Sequence, residues 1–513
     1  MCKQHKFIAR REFLKYASMT AAGAALLPYL RPTVAFAQGS PPLSGPIDIY
    51  IRIYFAGGVD GLTMVVPRDP SIHGALKAQR PILMGPPVPI LTSVSGAADT
   101  GLIESPSQVL DIGRTWGLHP YWGTSQTPQM AQNQLLGVHQ LVNQGQAKIL
   151  SKIGFPGSSA VTGSSSGPEH DLNHVTATDP WNVGKAEISP GSDLFWEVRL
   201  MQQAQLQWNQ FWVLGVGGYS VPPRPYSGGP SPTRTRFLKE ISRFSVNDYD
   251  VRANGQSFGG SIEADAAQAA IQQLLSLPDA GDTAIAKKEY KRGMRAALDS
   301  ADFIKQNIAG ITLPNYFPGP EMGYPYAIDE NFKDLARIIN YYHFDSSRRR
   351  KLFLFLSLPN FDTHSAQDAA LPRYLRAINH CIVALHKYLV ANNAWSKTVI
   401  QFVSEFGRGI STRSLDGNGN PIFLSGTPHG WGSMHFILGG ALNQSLGPVI
   451  GDLPTILDIT NPVPVGNPSN PESTLLRATL DPREVFFHVV EGMGFQPAPI
   501  FTGFNPAGVQ IFS

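Results

Sequence analysis

The chain has few cysteines and, beyond its amino terminus, no long apolar run. Its two cysteines are Cys2 and Cys381, and Cys2 is lost if the amino terminus is cleaved as predicted below. A single remaining cysteine excludes an intramolecular disulfide, and it also excludes haem or iron–sulfur binding through clustered cysteines. Cys381 falls on the apolar stripe of a predicted helix, so we expect it to pack in the core. No other stretch reaches the ~20 apolar residues of a membrane span, so we expect a mature protein that is not integral to a membrane.

The chain also lacks an excess of positive charge beyond its amino terminus. The chain carries 41 basic and 38 acidic residues, but six of the basic residues and one of the acidic residues lie in the first 37 positions. Without that segment 35 basic and 37 acidic residues remain, which is a net charge of about −2. No run of lysine and arginine with interleaved aromatics is left, which argues against a nucleic-acid partner. A dinucleotide-binding glycine pattern is absent as well, so a redox protein with an organic cofactor has little support.

The amino terminus has the pattern of an export signal. The pair Arg10 and Arg11 precedes Glu-Phe-Leu-Lys at 12–15, a moderately apolar stretch at 16–30 and the small-residue motif Ala-Phe-Ala at 35–37. These features in this order predict a twin-arginine signal peptide that is cleaved before Gln38. An amphipathic helix, the alternative, explains neither the arginine pair nor the cleavage motif. We therefore expect the Tat translocase to export the folded protein, with any bound cofactor, to the periplasm or beyond.

The sequence of residues 38–513 predicts a single α/β domain. Residues 47–55 alternate isoleucine or phenylalanine with polar or aromatic residues, the period-two pattern of a strand. Residues 351–356 form a continuous apolar run, as expected for a parallel strand that is covered on both faces. A helix at about 366–390 and a strand at 398–403 complete a β-α-β unit. Loop and helix excursions are predicted around 155–330, with helices around 262–277 and 284–308.

Acidic and histidine side chains follow the predicted strands. Asp60 comes after the first strand, Asp362 and His364 after the second and Glu405 after the third, and His429 lies in a later loop between glycines. Open α/β sheets build their sites from loops at the carboxyl ends of strands, and a right-handed crossover places these ends at one edge. We therefore expect the carboxylate and imidazole groups to lie within about 4–8 Å of one another, given metal–ligand bonds near 2.1 Å.

Imidazole and carboxylate groups together suggest a divalent-metal site. Asp362 and His364 are two residues apart, so in extended backbone their side chains point to one face. The loop of His429 is flexible enough to bring its imidazole to the same ion. Such a set suits zinc or manganese, whereas a purely oxygen shell would suit calcium or magnesium. Structural alternatives stay open, because Asp362 could cap the helix that follows and Glu405 could form an ordinary ion pair with Arg408.

Seven short motifs follow one another along most of the mature chain. They are Phe-Ala-Gly-Gly-Val-Asp-Gly-Leu at 55–62 leading to Val-Pro at 66–67 and Arg-Pro at 80–81, Gly-Leu-His-Pro at 117–120, Asn-His at 173–174 with Trp181, Phe-Asp-Thr-His at 361–364, Ser-Glu-Phe-Gly-Arg at 404–408, Gly-Thr-Pro-His-Gly-Trp-Gly at 426–432, and His435 with Gly-Gly at 439–440. In content and order they resemble the exported family called domain of unknown function 1501 (DUF1501), of the alkaline-phosphatase-like or sulfatase-like superfamily. The resemblance implies a three-layer α/β/α fold with a central, mostly parallel sheet.

The resemblance also implies a chemistry. Members of the superfamily hydrolyse phosphate or sulfate esters by in-line attack of a serine, threonine or modified cysteine, with one or two metal ions clamping the attacking and leaving oxygens. By analogy, one ion would take Asp362, His364 and His429. A second ion would take Asp60 and Glu405, beside the residue at the nucleophile position.

The chain departs from this family at two positions of the implied site. Asn173, which precedes His174, stands where members have serine, and Pro428 stands where they have aspartate. An amide cannot form the covalent ester, and proline cannot ligate through its side chain. The candidate catalytic residues are Asn173, His174 and Arg408. Either a metal-bound water carries the chemistry, or the original activity has been lost, or another hydroxyl substitutes, such as that of Ser164, Ser165, Ser166 or Thr178.

Two functions of different classes follow from the sequence. The first is an exported metal-dependent hydrolase that acts on small-molecule or polymeric phosphate or sulfate esters. The alternative is a non-catalytic periplasmic or envelope protein that keeps the fold and a structural metal and binds or assembles with an envelope partner. The retained candidate ligands favour the hydrolase, whereas the missing serine favours the non-catalytic protein.

Overall fold

The computed structural model describes residues 45–84, 103–124, 127–155, 181, 196, 199–200, 211–216, 235–238, 305–319, 328–416, 418, 420–464 and 474–513. The predicted signal peptide, the segment with Asn173 and His174 and the helix predicted around 262–277 lie outside these residues. Most of the helix predicted around 284–308 does so too, and its last residues form a π-helical turn at Lys305–Ala309.

Eight of the described strands form the main sheet. In chain order they are β1 Ile49–Phe55, β2 Ala147–Ile153, β3 Phe211–Val216, β4 Thr235–Leu238, β5 Lys351–Leu358, β6 Thr398–Val403, β7 Ser433–Leu438 and β8 Val449–Ile450. Across the sheet their order is β8-β2-β7-β6-β1-β5-β3-β4. Each of these neighbouring pairs is parallel except the two that include β7, which runs against β6 and β2. The predicted α/β class with a central, mostly parallel sheet is confirmed.

The central strand β1 lies between two hydrophobic cores. Its residues Ile49, Ile51 and Ile53 pack into the core on one face of the sheet, and Tyr50 and Tyr54 pack into the core on the other. All seven residues of the strand are buried. Alternate residues of β1 therefore face two different cores, and neither face of the strand is exposed to solvent.

Helices cover both faces of the sheet and give the fold three layers. In chain order they are α1 Gly61–Met64, α2 Pro70–Gln79, α3 Pro128–Gln132, α4 Val138–Asn143, α5 Ile328–Ile339, α6 Gln367–Ala391, α7 Ile456–Thr460 and α8 Pro482–Gly492. Helix α6 packs into the first core through an apolar stripe that includes Leu371, Leu375 and Ile378. Helix α8 packs into the second core through Phe486 and Val489.

The β-α-β unit predicted in the sequence is β5-α6-β6. Its helix begins and ends one residue later than predicted. Cys381 lies on the buried side of α6, where burial raises the pKa of its thiol well above the ordinary value, so its predicted role in packing is confirmed. None of the helices in the described ranges is both long enough and apolar enough to cross a membrane.

Short elements complete the described structure. Two-residue strands at Gly407–Arg408 and His429–Gly430 pair with each other and join the loop after β6 to the loop before β7. Other short strands are Val65–Pro67, Leu110–Asp111 and Trp116–Leu118 in one sheet, Arg413–Leu415 with Pro421–Phe423, and Val463–Pro464 with Thr474–Leu475. Single turns of 3-10 helix lie at Pro106–Gln108, Pro120–Trp122 and Trp395–Lys397, and a π-helical turn lies at Asn340–Phe344.

Candidate metal centre

Four loops meet at one edge of the main sheet. Strands β5, β1 and β6 are adjacent and parallel, so the loops that carry Asp362 and His364, Asp60, and Glu405 all leave from the same edge. Strand β7 runs in the opposite direction, so the loop that carries His429 enters the sheet at this edge as well. The structure thus brings together segments that are more than 300 residues apart in the chain.

Asp362, His364 and His429 each direct one atom at a common space. The Nε2 atom of His364 lies 2.9 Å from Nε2 of His429 and 3.0 Å from Oδ1 of Asp362, and Nε2 of His429 lies 3.1 Å from the same oxygen. Within the described ranges, this is the one group of three or more histidine, cysteine, aspartate or glutamate side chains whose potential ligand atoms lie within 4.8 Å of one another. The side chains of His364 and Asp362 are 51% and 40% exposed, so the group is open to solvent.

Close backbone packing and a ring contact position two of these side chains, Asp362 and His429. Gly57 has a φ of +119°, and a Cβ atom at this position would overlap the backbone nitrogen of Asp362. Glycine is required there because it tolerates both this φ and the close approach. The ring of Phe406 lies against the imidazole of His429, with 4.3 Å between the ring centroids. The loops are therefore packed against one another directly beneath the three candidate ligands.

Arg408 holds the loops of the site together from below. Its side chain is fully buried. Its guanidinium donates to one carboxylate oxygen, Oδ1 of Asp362 at 2.6 Å, and to four backbone carbonyls, those of Gly57 at 2.7 Å, Gly58 at 2.8 Å, Phe361 at 2.9 Å and Thr427 at 3.0 Å. Because four of these five acceptors are buried backbone carbonyls, the geometry supports a positioning role for Arg408. The catalytic role predicted from the sequence stays a prediction.

The charge of Asp362 is controlled by Arg408. Partial burial raises the pKa of Asp362, but the hydrogen bond and positive charge of Arg408, with contributions from His429 and His364, outweigh this effect and lower the pKa to about 2. Burial lowers the pKa of Arg408 below its ordinary value, and this effect outweighs the contact with Asp362, which acts in the opposite direction. Arginine stays protonated in proteins, so at neutral pH an anionic Asp362 faces the two imidazoles.

Asp60 is buried and is hydrogen-bonded in several directions. It caps α1 by accepting from the backbone N–H of Leu62 at 3.1 Å, and it accepts from the hydroxyl of Thr63 at 2.8 Å. It also forms a buried ion pair with Arg80, whose Nη1 lies 2.8 Å from Oδ2 of Asp60. The side-chain amide of Gln367 donates to the same oxygen. These contacts give Asp60 a structural task at the base of the site.

Glu405 is also buried, and it contacts the loop after β1. Its Oε1 accepts from the backbone N–H of Gly57 at 2.7 Å, and its Oε2 lies 3.3 Å from the hydroxyl of Ser404. Within the described part of the chain, neither Asp60 nor Glu405 belongs to a group of three potential ligands. The second ion predicted at these two carboxylates stays a prediction.

Two residues of the site were not identified from the sequence. Arg80 belongs to the motif Arg-Pro at 80–81, but the motif does not indicate its role. Besides its ion pair with Asp60, it donates to the backbone carbonyls of Ile410 at 2.7 Å and of Gly409. Gln367 lies three residues after His364, and no local pattern marks it. The partners of both residues are distant in sequence, so short motifs do not reveal these contacts.

The three side chains fit a divalent cation. Ligand atoms at neighbouring positions of an octahedral ion with bonds of about 2.1 Å lie about 3.0 Å apart, and those of a tetrahedral ion lie about 3.4 Å apart. The three distances between the potential ligand atoms are 2.9, 3.0 and 3.1 Å. The same distances fit a hydrogen bond in which one imidazole donates its N–H to the other. The centre of the group can therefore hold either a shared proton or a cation.

The family described as "Protein of unknown function (DUF1501)" matches residues 345–492, a range that includes the three candidate ligands, Glu405 and Arg408. This match confirms the resemblance over that part of the chain. Curated proteins give no match.

Similar solved structures were found as well. Ps i-CgsB in complex with k-i-k-neocarrahexaose is 10% identical with a TM-score of 0.31, over 88% of this chain and 73% of that chain. The PsFucS1 sulfatase from Pseudoalteromonas sp. is 13% identical with a TM-score of 0.28, over 88% of this chain and 71% of that chain. A mutant of TAB5 alkaline phosphatase with Mg bound in the M3 site is 11% identical with a TM-score of 0.27, over 82% of this chain and 99% of that chain. Similarity at this level carries no conclusion about activity.

Proposed function

We propose that Asp362, His364 and His429 bind one divalent metal ion, and that the protein is an exported hydrolase of phosphate or sulfate esters. The observation that carries the proposal is the convergence of one carboxylate oxygen and two imidazole nitrogens, 2.9–3.1 Å apart, at the carboxyl edge of the sheet. Ligands bind at this edge in open α/β sheets. The ester class rests on the resemblance of the sequence motifs.

The donor set points to zinc or manganese. Two of the three donors are imidazole nitrogens, which suit these ions, whereas calcium takes oxygen ligands. Structural zinc sites have four protein ligands and are closed, whereas catalytic sites have three protein ligands and keep a position open. The half-exposed side chain of His364 and the three-ligand set match the catalytic pattern.

The residues of this chain would prepare the site in three ways. Arg408 keeps Asp362 ionised and fixed, so a carboxylate is present at neutral pH. Phe406 fixes the ring of His429 against the loop after β6. The exposure of His364 and Asp362 leaves one side of the group accessible to a substrate. A bound divalent ion would polarise an ester oxygen as a Lewis acid.

The alternative function is a non-catalytic envelope protein with a structural metal. It is supported by Arg408, whose guanidinium is fully buried and donates to four buried backbone carbonyls and to Asp362, which is a positioning arrangement. It is also supported by Asn173, which cannot form a covalent ester. Under this alternative the metal would stabilise the fold, and no ester would be turned over.

Thermal unfolding with and without Zn²⁺ or Mn²⁺ tests the metal site. A ligand that binds only the folded state at 100 times its Kd stabilises the protein by about 2.7 kcal/mol. We expect added ion to raise the Tm of the wild type and to leave the Tm of His364→Ala and His429→Ala unchanged. His139→Ala is the matched control, because His139 contacts the backbone of Asp111 instead. An equal response of all four proteins would refute the assignment.

Turnover of aryl phosphate and aryl sulfate esters separates the two functions. The hydrolase would lose turnover in His364→Ala and keep it in His139→Ala, whereas the envelope protein would show no turnover in any variant. Asn173→Ser restores the hydroxyl that related sequences carry, so gain of activity from a silent parent would identify a lapsed hydrolase. An active parent whose rate is unchanged by Asn173→Ala would place the nucleophile elsewhere.

A further inference from the structure

We propose that Gln367 is the positioning residue that sets the spacing of the three metal ligands. This inference rests on the metal site proposed above, and it concerns how the protein holds that site. Gln367 is the first residue of α6, and its side chain is buried with 1% exposure. It lies behind the ligands, so it acts on them through other residues.

The hydrogen bonds of Gln367 fix the orientation of its amide. Its Nε2 donates to Oδ2 of Asp60, and an ionised carboxylate can only accept. The amide oxygen must therefore face the other way. It accepts from the hydroxyl of Thr363 at 2.9 Å and from that of Thr427 at 2.7 Å. One N–H of the amide and both lone pairs of its oxygen are engaged in one defined arrangement.

The two threonines belong to the two loops that carry the ligands. Thr363 lies between Asp362 and His364, and Thr427 lies two residues before His429. The loops also contact directly, because the backbone N–H of Thr427 donates to the carbonyl of Thr363 at 3.1 Å. Gln367 adds a side-chain bridge to this contact, so one amide oxygen couples the positions of all three ligands.

The bridge is anchored to a buried ion pair. Asp60, which accepts from Gln367, forms the buried ion pair with Arg80, and Arg80 donates to the carbonyl of Ile410. The backbone N–H of Gln367 donates to the carbonyl of Ser425 at 2.8 Å, which ties the start of α6 to the loop of His429. Gln367 therefore connects the two ligand loops to the buried Asp60–Arg80 pair.

Loss of this bridge should weaken metal binding. Groups that orient metal ligands from behind typically contribute 10–100-fold to metal affinity. Gln367→Met keeps an unbranched side chain of similar length but removes both the donor and the acceptor. We expect about 10–100-fold weaker binding of Zn²⁺ or Mn²⁺ by this variant. Thr427→Val, which removes one hydroxyl and keeps the shape, should have a smaller effect in the same direction.

Asn379→Leu is the matched control. Asn379 is a second buried amide on α6, and it donates to the carbonyl of Gly123 at 2.9 Å and accepts from the N–H of Val138 at 3.0 Å. Its partners do not belong to the ligand loops. We expect this variant to lose stability without a change in metal affinity, so it separates damage to the fold from displacement of the ligands.

The experiment titrates metal-free full-length protein with Zn²⁺ and Mn²⁺, and it records the absorption spectrum with Co²⁺ as a probe of ligand geometry. Weaker binding and an altered Co²⁺ spectrum in Gln367→Met and Thr427→Val, with both unchanged in Asn379→Leu, support the inference. If Gln367→Met does not fold, Thr427→Val decides. Wild-type affinity and spectrum in the Gln367 and Thr427 variants would overturn the positioning role alone. A wild type that binds none of the three ions would overturn the metal site itself, and the inference with it.

Discussion

Replacement of Arg408 by lysine should strongly destabilise the protein. The guanidinium donates to five buried or partly buried acceptors, namely four backbone carbonyls and one carboxylate oxygen. A lysine ammonium has three donors, so Arg408→Lys removes at least two of these five hydrogen bonds. A hydrogen bond to a charged group contributes about 1.5–3 kcal/mol. The expected loss in the free energy of unfolding is therefore about 3–6 kcal/mol, a large fraction of the ~5–15 kcal/mol typical of a domain.

Urea unfolding of wild type and Arg408→Lys measures this loss. The slope with denaturant should stay the same while the midpoint falls, because the surface exposed on unfolding does not change. Arg114→Lys is the control, since Arg114 is exposed and a surface change of this kind stays within about 0.5 kcal/mol. A loss below about 0.5 kcal/mol in Arg408→Lys would contradict the role of Arg408 as the link between the loops.

Three further predictions concern other parts of the chain. Burial lowers the pKa of His435 to about 3, so the unfolded chain binds a proton at a higher pH than the folded chain does. The free energy of unfolding should therefore fall as pH drops from about 6.5 towards 3. His435→Leu should flatten that fall by up to about 1.4 kcal/mol per pH unit in denaturant titrations. Gly57→Ala should destabilise the fold and abolish stabilisation by added ion, which calorimetry measures. Gly113 is the control, because it has a φ of +71° but open space around it, and Gly113→Ala should cost only about 1–2 kcal/mol. Replacement of Arg10 and Arg11 by lysine should leave uncleaved precursor in the cytoplasm, and continued export on cell fractionation would contradict the twin-arginine assignment.

The parts of the fold that the sequence predicts are those with local patterns. The alternation at 47–55 and the helical stripe that includes Leu371 and Leu375 each identify an element, because the type of side chain repeats with the period of the backbone. The run at 351–356 identifies a strand, because a strand covered on both faces is apolar throughout. The rule that sites lie at the carboxyl ends of strands then places Asp362, His364 and His429 at one edge. No knowledge of distant contacts is needed for these steps.

The roles of single side chains in the site depend on distant contacts, and these are not visible in a local pattern. The place of Asp60 after β1 predicts a metal ligand. In the fold, Arg80 and Gln367, which are 20 and 307 residues away, donate hydrogen bonds to its carboxylate. The motif that contains Arg408 predicts a catalytic group. In the fold, its guanidinium donates to backbone carbonyls of loops that come together only in the folded chain. The identity of a residue indicates which contacts it can make, and the fold decides which of them form.

The most direct test of the account is the metal content and ligand shell of the purified, exported protein, measured by elemental analysis and X-ray absorption. We expect one zinc or manganese ion per chain, bound by imidazole nitrogen and carboxylate oxygen, and loss of that ion in Asp362→Ala, His364→Ala and His429→Ala. Protein that is isolated without metal and does not take it up, or an ion retained in full by all three variants, would contradict it.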